Sequence, residues 1–143
     1  MFFVPISGFN KTLVYTDARN KTTTLIDLTG GSFTSKVLLY HFGIQQPASI
    51  DYVPHEDKMY WSDILQGTIL SAFSNGTSLK TLFSCDVIRP LGMTIDKAGG
   101  NLYWTDSGTK RIEVGRVDGT KRKVLIADGV DTPKAIILDI ERG

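Results

Sequence analysis

Cysteine is almost missing from this chain of 143 residues: Cys85 stands alone. No disulfide can close within it, and the single thiol is expected to be a small buried one. Histidine is scarce too. His41 and His55 lie far apart, without the H-x-x-H or Cys-His spacing of a zinc site. Neither a G-x-S-x-G elbow nor a phosphate-cradling glycine loop occurs. The expectation is a protein without catalytic residues, metal or cofactor. No apolar run reaches the roughly 18 residues of a membrane-crossing helix. The opening Met1-Phe2-Phe3-Val4-Pro5-Ile6 is too short for a signal peptide and lacks a basic n-region. A net charge of +1 gives no pull toward nucleic acid or an anionic membrane. Helical periodicity is absent as well; nowhere do apolar residues recur every 3.6 positions.

What the chain does have is a repeat. Leu102-Tyr103-Trp104-Thr105-Asp106 follows Met59-Tyr60-Trp61-Ser62-Asp63 by 43 residues, and the two pentads hold both tryptophans. Leu13-Val14-Tyr15-Thr16-Asp17 is a weaker third copy, with Tyr15 in the tryptophan column. Pro47 to Arg89 aligns on Pro90 to Thr132 without a gap, bringing Gly76 onto Gly119, Thr77 onto Thr120 and Lys80 onto Lys123. A fixed period of this length signals an array of like units. Each unit reads as four strands. In the second full unit these are Leu91–Asp96, Asn101–Asp106, Arg111–Val117 and Lys123–Ala127, with a turn at Asp118-Gly119. Asn75-Gly76 marks the corresponding hairpin in the unit before. Met1–Ser7 reads as a first strand that Pro5 confines to an edge or an end. Turns are expected at Gly8 with Asn10 and at Thr29-Gly30-Gly31, and Pro133–Asp139 opens a further unit.

Four strands per repeat fits a β-propeller blade. In the motif strand Tyr103 and Thr105 face one way, Trp104 and Asp106 the other. Bulk on both faces suits a sheet sandwiched between two neighbours, where each buried indole contributes roughly 1.5–3 kcal/mol or more. Asp63 and Asp106 are placed to accept backbone or indole N–H bonds. A catalytic residue is needed once and a packing residue in every blade, so the motif reads as structural. The fold class is all-β: a partial propeller of about three blades of four antiparallel strands. One domain, 1–143, divides into blades at about 1–46, 47–89 and 90–132, with the first strand of a fourth at 133–143. Asp51, Asp96 and Asp139 recur near the ends of the unit-opening strands and read as structural too.

The repeated [Leu/Met]-Tyr-Trp-[Thr/Ser]-Asp, in register with its glycine turns and Pro-x-x-[Met/Ile] openings, resembles the class B repeat of the low-density lipoprotein receptor family, the YWTD propeller. The resemblance runs from about Leu13 to Gly143. Within that family Leu102–Arg122 and Ile69–Met93 are most similar to the receptor-related proteins that act as Wnt co-receptors. It implies a six-bladed propeller in the extracellular part of a single-pass plasma-membrane receptor. Such a propeller binds a secreted protein of Wnt-pathway or lipoprotein type on one face and adjoins an EGF-like module. About three blades and no EGF cysteines make this chain read as a fragment of such a receptor. A matrix scaffold of nidogen type is the alternative. Less favoured is a metal-dependent six-bladed hydrolase, since Ala48-Ser49, Leu91-Gly92 and Lys134-Ala135 at the inner strand starts offer it no ligands.

Ligands are expected on the loops that differ between repeats: Asp17–Asn20, Ile64–Gly67, Ser84–Arg89, Ser107–Lys110 and Asp128–Thr132. Their candidate contacts are Arg19, Ile64, Leu65, Gln66, Arg89 and Lys110, Arg89 being of the hot-spot type. Three of the four asparagines lie in N-x-[ST] sequons: Asn10, Asn20 and Asn75. They are glycan acceptor candidates if the protein is secreted.

Overall fold

The motif strand dictates the architecture, because its two faces need different neighbours. In the computed structural model, which describes residues 2–5, 11–28, 34–40 and 43–139, twelve strands form three four-stranded antiparallel sheets. The first contains β1 (Phe2–Pro5), β2 (Lys11–Asp17), β3 (Thr22–Asp27) and β4 (Thr34–Tyr40). The second contains β5 (Pro47–Val53), β6 (Lys58–Asp63), β7 (Thr68–Phe73) and β8 (Lys80–Phe83). The third contains β9 (Pro90–Asp96), β10 (Asn101–Asp106), β11 (Arg111–Arg116) and β12 (Lys123–Ile126). Strands within each sheet neighbour one another in chain order. β1 is an edge strand ending at Pro5, as a residue without an N–H requires.

Each motif is the second strand of its sheet. Trp61 sits opposite Ile50 on β5 and Leu70 on β7; Trp104 sits opposite Met93 on β9 and Glu113 on β11. Alternation along the strand sends the tryptophan column back toward the preceding sheet and the tyrosine column forward. Trp61 packs with Val14, Ile50 and Leu70 between the first two sheets. Tyr60 packs with Met93, Leu102 and Trp104 between the second and third. Both indoles and the Tyr60 ring are fully buried. Where no further sheet follows, the pattern relaxes. Tyr103, the forward residue of the third sheet, is half-buried, and Tyr15, the backward residue of the first, is 39% exposed.

The two indoles are held differently. Trp61 Nε1 donates to Thr23 Oγ1 at 3.2 Å, while Trp104 Nε1 is buried without an acceptor among the described residues. The ladders explain this. Thr23 pairs with Thr16 in the first sheet, and the residue pairing with Ser62 in the second is Ile69, which has no hydroxyl to offer. Trp104 instead stacks on Phe83 at 5.0 Å between centroids and carries the Arg122 guanidinium 5.4 Å above its ring.

Hydroxyls at the fourth motif position tie one sheet to the next. Ser62 Oγ accepts from Ser49 N and donates to Leu91 O on β9 at 3.3 Å. Thr105 Oγ1 accepts from Gly92 N and donates to Lys134 O at 2.6 Å. The innermost strands are joined as well: Ser49 Oγ accepts from Met93 N at 3.2 Å, and Asp51 Oδ2 accepts from Ile95 N at 3.0 Å.

Two sequence expectations change, at Pro133–Asp139 and at Cys85. Pro133–Asp139 is not a strand; its carbonyl at Lys134 already takes the bond that Leu91 takes one unit earlier. A ladder needs a partner, and the next motif strand falls due beyond Gly143. Gly92 permits the close approach, since a Cβ there would lie 2.2 Å from Lys134 O. The Asn75-Gly76 hairpin falls where expected, with Ser74 to Leu79 between β7 and β8. Asp51 and Asp96 are structural as expected, each accepting a backbone N–H, but in different places. Asp51 joins two sheets and pairs with Lys97 at 3.2 Å, whereas Asp96 accepts Gly99 N within its own hairpin. Cys85 is exposed rather than buried, lying in the β8–β9 connection where no side chain covers it. The turns expected at Gly8 with Asn10 and at Thr29-Gly30-Gly31 fall outside the described residues, as do His41 and the Asn10 sequon.

Candidate functional site: the loop face

The last motif residue builds one end of the molecule. Asp63 is fully buried, and its carboxylate collects four backbone N–H groups: Gln45 and Gln46 ahead of β5, and Leu65 and Gln66 after β6. Asp106 does the same with Ile88 and Arg89 ahead of β9 and with Gly108 and Thr109 after β10. Neither carboxylate takes the indole N–H. One side chain therefore fastens the connection between sheets to the loop between second and third strands. Both kinds of loop share one face, as antiparallel strand order requires. Asp17 makes the exposed version, accepting from Arg19 N and Asn20 N. The Asn20 backbone N–H, ahead of the Asn20 amide and the Arg19 N–H, holds its carboxyl below the ordinary carboxylate value.

On this rigid base the candidate contacts separate. Leu65 is 64% exposed, and Ile64 beside it is half-buried. Gln66 Nε2 donates to Gly43 O, so its amide is engaged within the loop. Arg19 is exposed on the first sheet's loop. Arg89 is exposed, and its guanidinium makes no hydrogen bond or ion pair among the described residues; only its backbone is bound. Lys110 is tied to Asp131 at 2.5 Å, and that ion pair holds the exposed Asp131 carboxyl below its ordinary value.

The structure adds two neighbours that the sequence reading passed over. Ile88 is 60% exposed, in a loop that lies against Gly67 through the Val87 and Ile88 carbonyls. It thus stands beside the Leu65 loop and next to Arg89. Lys134 and Arg89 flank an open depression of about 380 Å³ whose floor is Ala48 and Ser49 of β5, Leu91 and Gly92 of β9, and Ala135. These residues look bland one at a time. Only the fold places two strand starts and the Lys134-Ala135 segment around one mouth, with two cations on its rim.

No group of three or more His, Cys, Asp or Glu side chains converges on a metal-sized site among the described residues. His55 is exposed and pairs loosely with Glu56 at 3.6 Å. No helix is long and apolar enough to cross a membrane among them.

Blades that pack through a repeated Tyr-Trp-x-Asp strand, with variable loops on one face, define a β-propeller built from class B repeats. The pattern of the family "Low-density lipoprotein receptor repeat class B" matches residues 57–97 and 100–140. The chain belongs to that family, one of receptor modules rather than enzymes. Each match begins at the motif strand and ends in the inner strand segment of the following blade, the unit that Ser62 and Thr105 join. The chain is 39% identical over 128 residues to low-density lipoprotein receptor-related protein 5 of Mus musculus, covering 88% of itself and 8% of that protein. Among solved structures it resembles a chain of the nidogen/laminin complex, with a TM-score of 0.70 and 23% identity, over 85% of this chain and 50% of that one. A structure described as TolB from Agrobacterium tumefaciens gives a TM-score of 0.62 at 15% identity, over 83% and 46% of the two chains. The last two likenesses concern the fold.

Proposed function

We propose that this chain is part of the extracellular ligand-binding propeller of a low-density lipoprotein receptor-related receptor. It works without catalysis and binds a secreted protein on the loop face. The observation that carries the reading is the division of labour at Asp63 and Asp106. Their carboxylates fix the loop backbones from within, leaving Leu65, Ile88 and Arg89 exposed together on an immobile base. Arginine is enriched at interface hot spots, and exposed apolar residues beside it mark an interaction surface. Identity of 39% to a receptor-related protein supports a receptor of the Wnt co-receptor type over an endocytic one or a matrix scaffold. The remaining blades and an EGF-like module would be supplied by the parent chain.

Reading the parent transcript on both sides of these residues tests the setting. A transmembrane segment and EGF-like cysteines are expected; matrix modules in their place would overturn the receptor reading. The completed propeller should then bind secreted Wnt-pathway or lipoprotein ligands. Arg89→Glu should weaken that binding about tenfold or more, as loss of a hot-spot arginine does. Lys110→Glu should cost less, because Asp131 already neutralises Lys110. Equal affinity in wild type and Arg89→Glu would remove the loop face from the account.

A further inference from the structure

We infer that Asn75 is an N-glycan acceptor whose glycan stands on the face opposite the loop face. This rests on the extracellular setting proposed above. Asn75-Gly76-Thr77 is a sequon in the connection between β7 and β8. Third-to-fourth strand turns lie at the end away from the Asp63 and Asp106 loops, and Ser74 N accordingly bonds Asp57 O in the first-to-second connection. Asn75 is exposed there. Its Oδ1 accepts from Thr77 N at 3.0 Å and from Thr77 Oγ1 at 2.7 Å. The Nδ2 group makes no hydrogen bond among the described residues, so both its protons face solvent.

The third blade shows that this nitrogen is not needed for folding. Asp118-Gly119-Thr120 occupies the same turn, with Thr120 N and Oγ1 on Asp118 Oδ1 at 2.9 and 2.6 Å. The backbone repeats as well: Gly76 and Gly119 have φ of 86° and 89°, and Ser78 and Lys121 of 56° and 51°. A side-chain oxygen holds the turn in both blades, and only the second adds an amide nitrogen to it. Asn20 differs. Its Nδ2 donates to Asp17 Oδ2 at 2.7 Å, in a loop on the proposed ligand surface. A glycan at Asn75 projects from the other end and leaves that surface open.

The chemistry needs one co-reactant, an oligosaccharide carried on a lipid diphosphate. Asn75 Nδ2 attacks the anomeric carbon; the N–C bond forms as the C–O bond to diphosphate breaks. The lipid diphosphate leaves with the bonding pair, and one Nδ2 proton passes to base. No oxidant or reductant takes part.

The full 143-residue chain, expressed behind a cleavable secretory leader in eukaryotic cells, provides the test. Occupancy at the Asn75 peptide is read by mass spectrometry in both lysate and medium, before and after peptide N-glycosidase. A glycan that the enzyme removes, leaving aspartate at position 75, is the expected result. Asn75→Asp should lose that glycan and keep the unfolding midpoint of unglycosylated wild-type chain made in bacteria, which still carries Asn75, since Asp118 already serves in the third blade. An unoccupied Asn75 in chain that has entered the secretory route overturns the inference, as does a clear destabilisation by Asn75→Asp. Finding the native protein in the cytosol, with the leader-directed chain glycosylated, would count against the extracellular reading while supporting the acceptor site.

Discussion

Arg122 closes a bidentate ion pair on Glu113, with Nε on Oε2 at 2.7 Å and Nη2 on Oε1 at 3.0 Å, directly over the buried Trp104 ring. Glu113 is 1% exposed. The same guanidinium donates to the Cys85 and Asp86 carbonyls of the preceding connection. One period earlier the two positions are Leu70 and Leu79. Leu70 is buried beside Trp61 and Leu79 is 43% exposed, whereas the next blade has an acid and a base at these positions. An acid alone would be a buried unpaired charge, so the two residues must change together.

Removing one partner should therefore cost more than replacing both. Arg122→Leu alone, which strands Glu113, is expected to destabilise the chain by about 3–5 kcal/mol. Glu113→Leu with Arg122→Leu transplants the second blade's solution and should recover most of that loss. Urea unfolding of the single and double variants measures it. A double variant as weak as the single would show that the site depends on charge and not on filling.

The tryptophans are expected to respond differently to loss of a hydrogen-bond partner. Thr23→Val keeps the volume and removes the hydroxyl to which Trp61 Nε1 donates, at a cost of about 1–3 kcal/mol. Ile69→Val, at the ladder position facing the third blade, deletes only a methylene and should cost about 0.5–1.5 kcal/mol. A Thr23→Val chain as stable as the wild type would mean that the indole bond contributes nothing net. Trp104→Ala removes a whole indole from a closed interface and should unfold the chain or cost about 3–5 kcal/mol. A folded Trp104→Ala protein that had lost only ligand binding would reassign the motif from packing to recognition.

How much of this was legible in advance follows from range. Period, strand positions and tryptophan burial follow from local alternation and the 43-residue spacing, and both are visible in one dimension. The bond from Trp61 to Thr23 spans 38 residues, and that from Thr105 to Lys134 spans 29. Nothing in either pair's residue types announces the other. Arg122 follows the Asp118-Gly119 turn, and nothing in one dimension links it to Glu113. Its partner lies across the β11–β12 ladder, and its location over Trp104 depends on how two sheets close on one another. The depression between Arg89 and Lys134 was hidden for the same reason, since its floor is made of residues from two strands and the Lys134-Ala135 segment, far apart in the chain.

Asp106→Asn tests the construction of the loop face. An amide keeps one oxygen but turns an NH2 toward backbone N–H groups that now meet a carboxylate. The chain should lose about 2–4 kcal/mol, on the scale of one or two charge-assisted bonds. Amide exchange at Ile88 and Arg89 should accelerate more than exchange in β10. Uniform acceleration across the third blade would instead mean that Asp106 supports the sheet and not the loops.

Alkaline pH should weaken the fold. Burial, helped by the hydrogen bond to Asp57, pushes the Tyr52 hydroxyl up to about 12 from 10.0; burial, with Glu56 nearby, does the same for Tyr60. Both groups have a higher pKa folded than unfolded. Their stabilising contribution is complete below pH 10 and is lost as pH rises toward 12. The urea midpoint should accordingly hold level up to about pH 10 and fall beyond it, with a smaller fall in Tyr52→Phe. A level midpoint across that range would show that neither hydroxyl is shielded as described.

Tyr15, Val37, Leu125, Ile126 and Ile137 leave apolar surface exposed on the outer sheets. Concentrated chain should therefore self-associate. Sedimentation across a concentration series measures this, and a monomer at every concentration would mean that these residues are covered in solution.

The most direct test of the central claim is tryptophan emission from the intact chain, with acrylamide as quencher. Trp61 and Trp104 are the only two tryptophans, and both lie fully buried between sheets. If the repeated motif packs blade against blade, emission is well to the blue of indole in water and quenching is weak until the protein unfolds, when both change together. Red-shifted, readily quenched emission from the native chain would place at least one tryptophan in solvent and contradict the account.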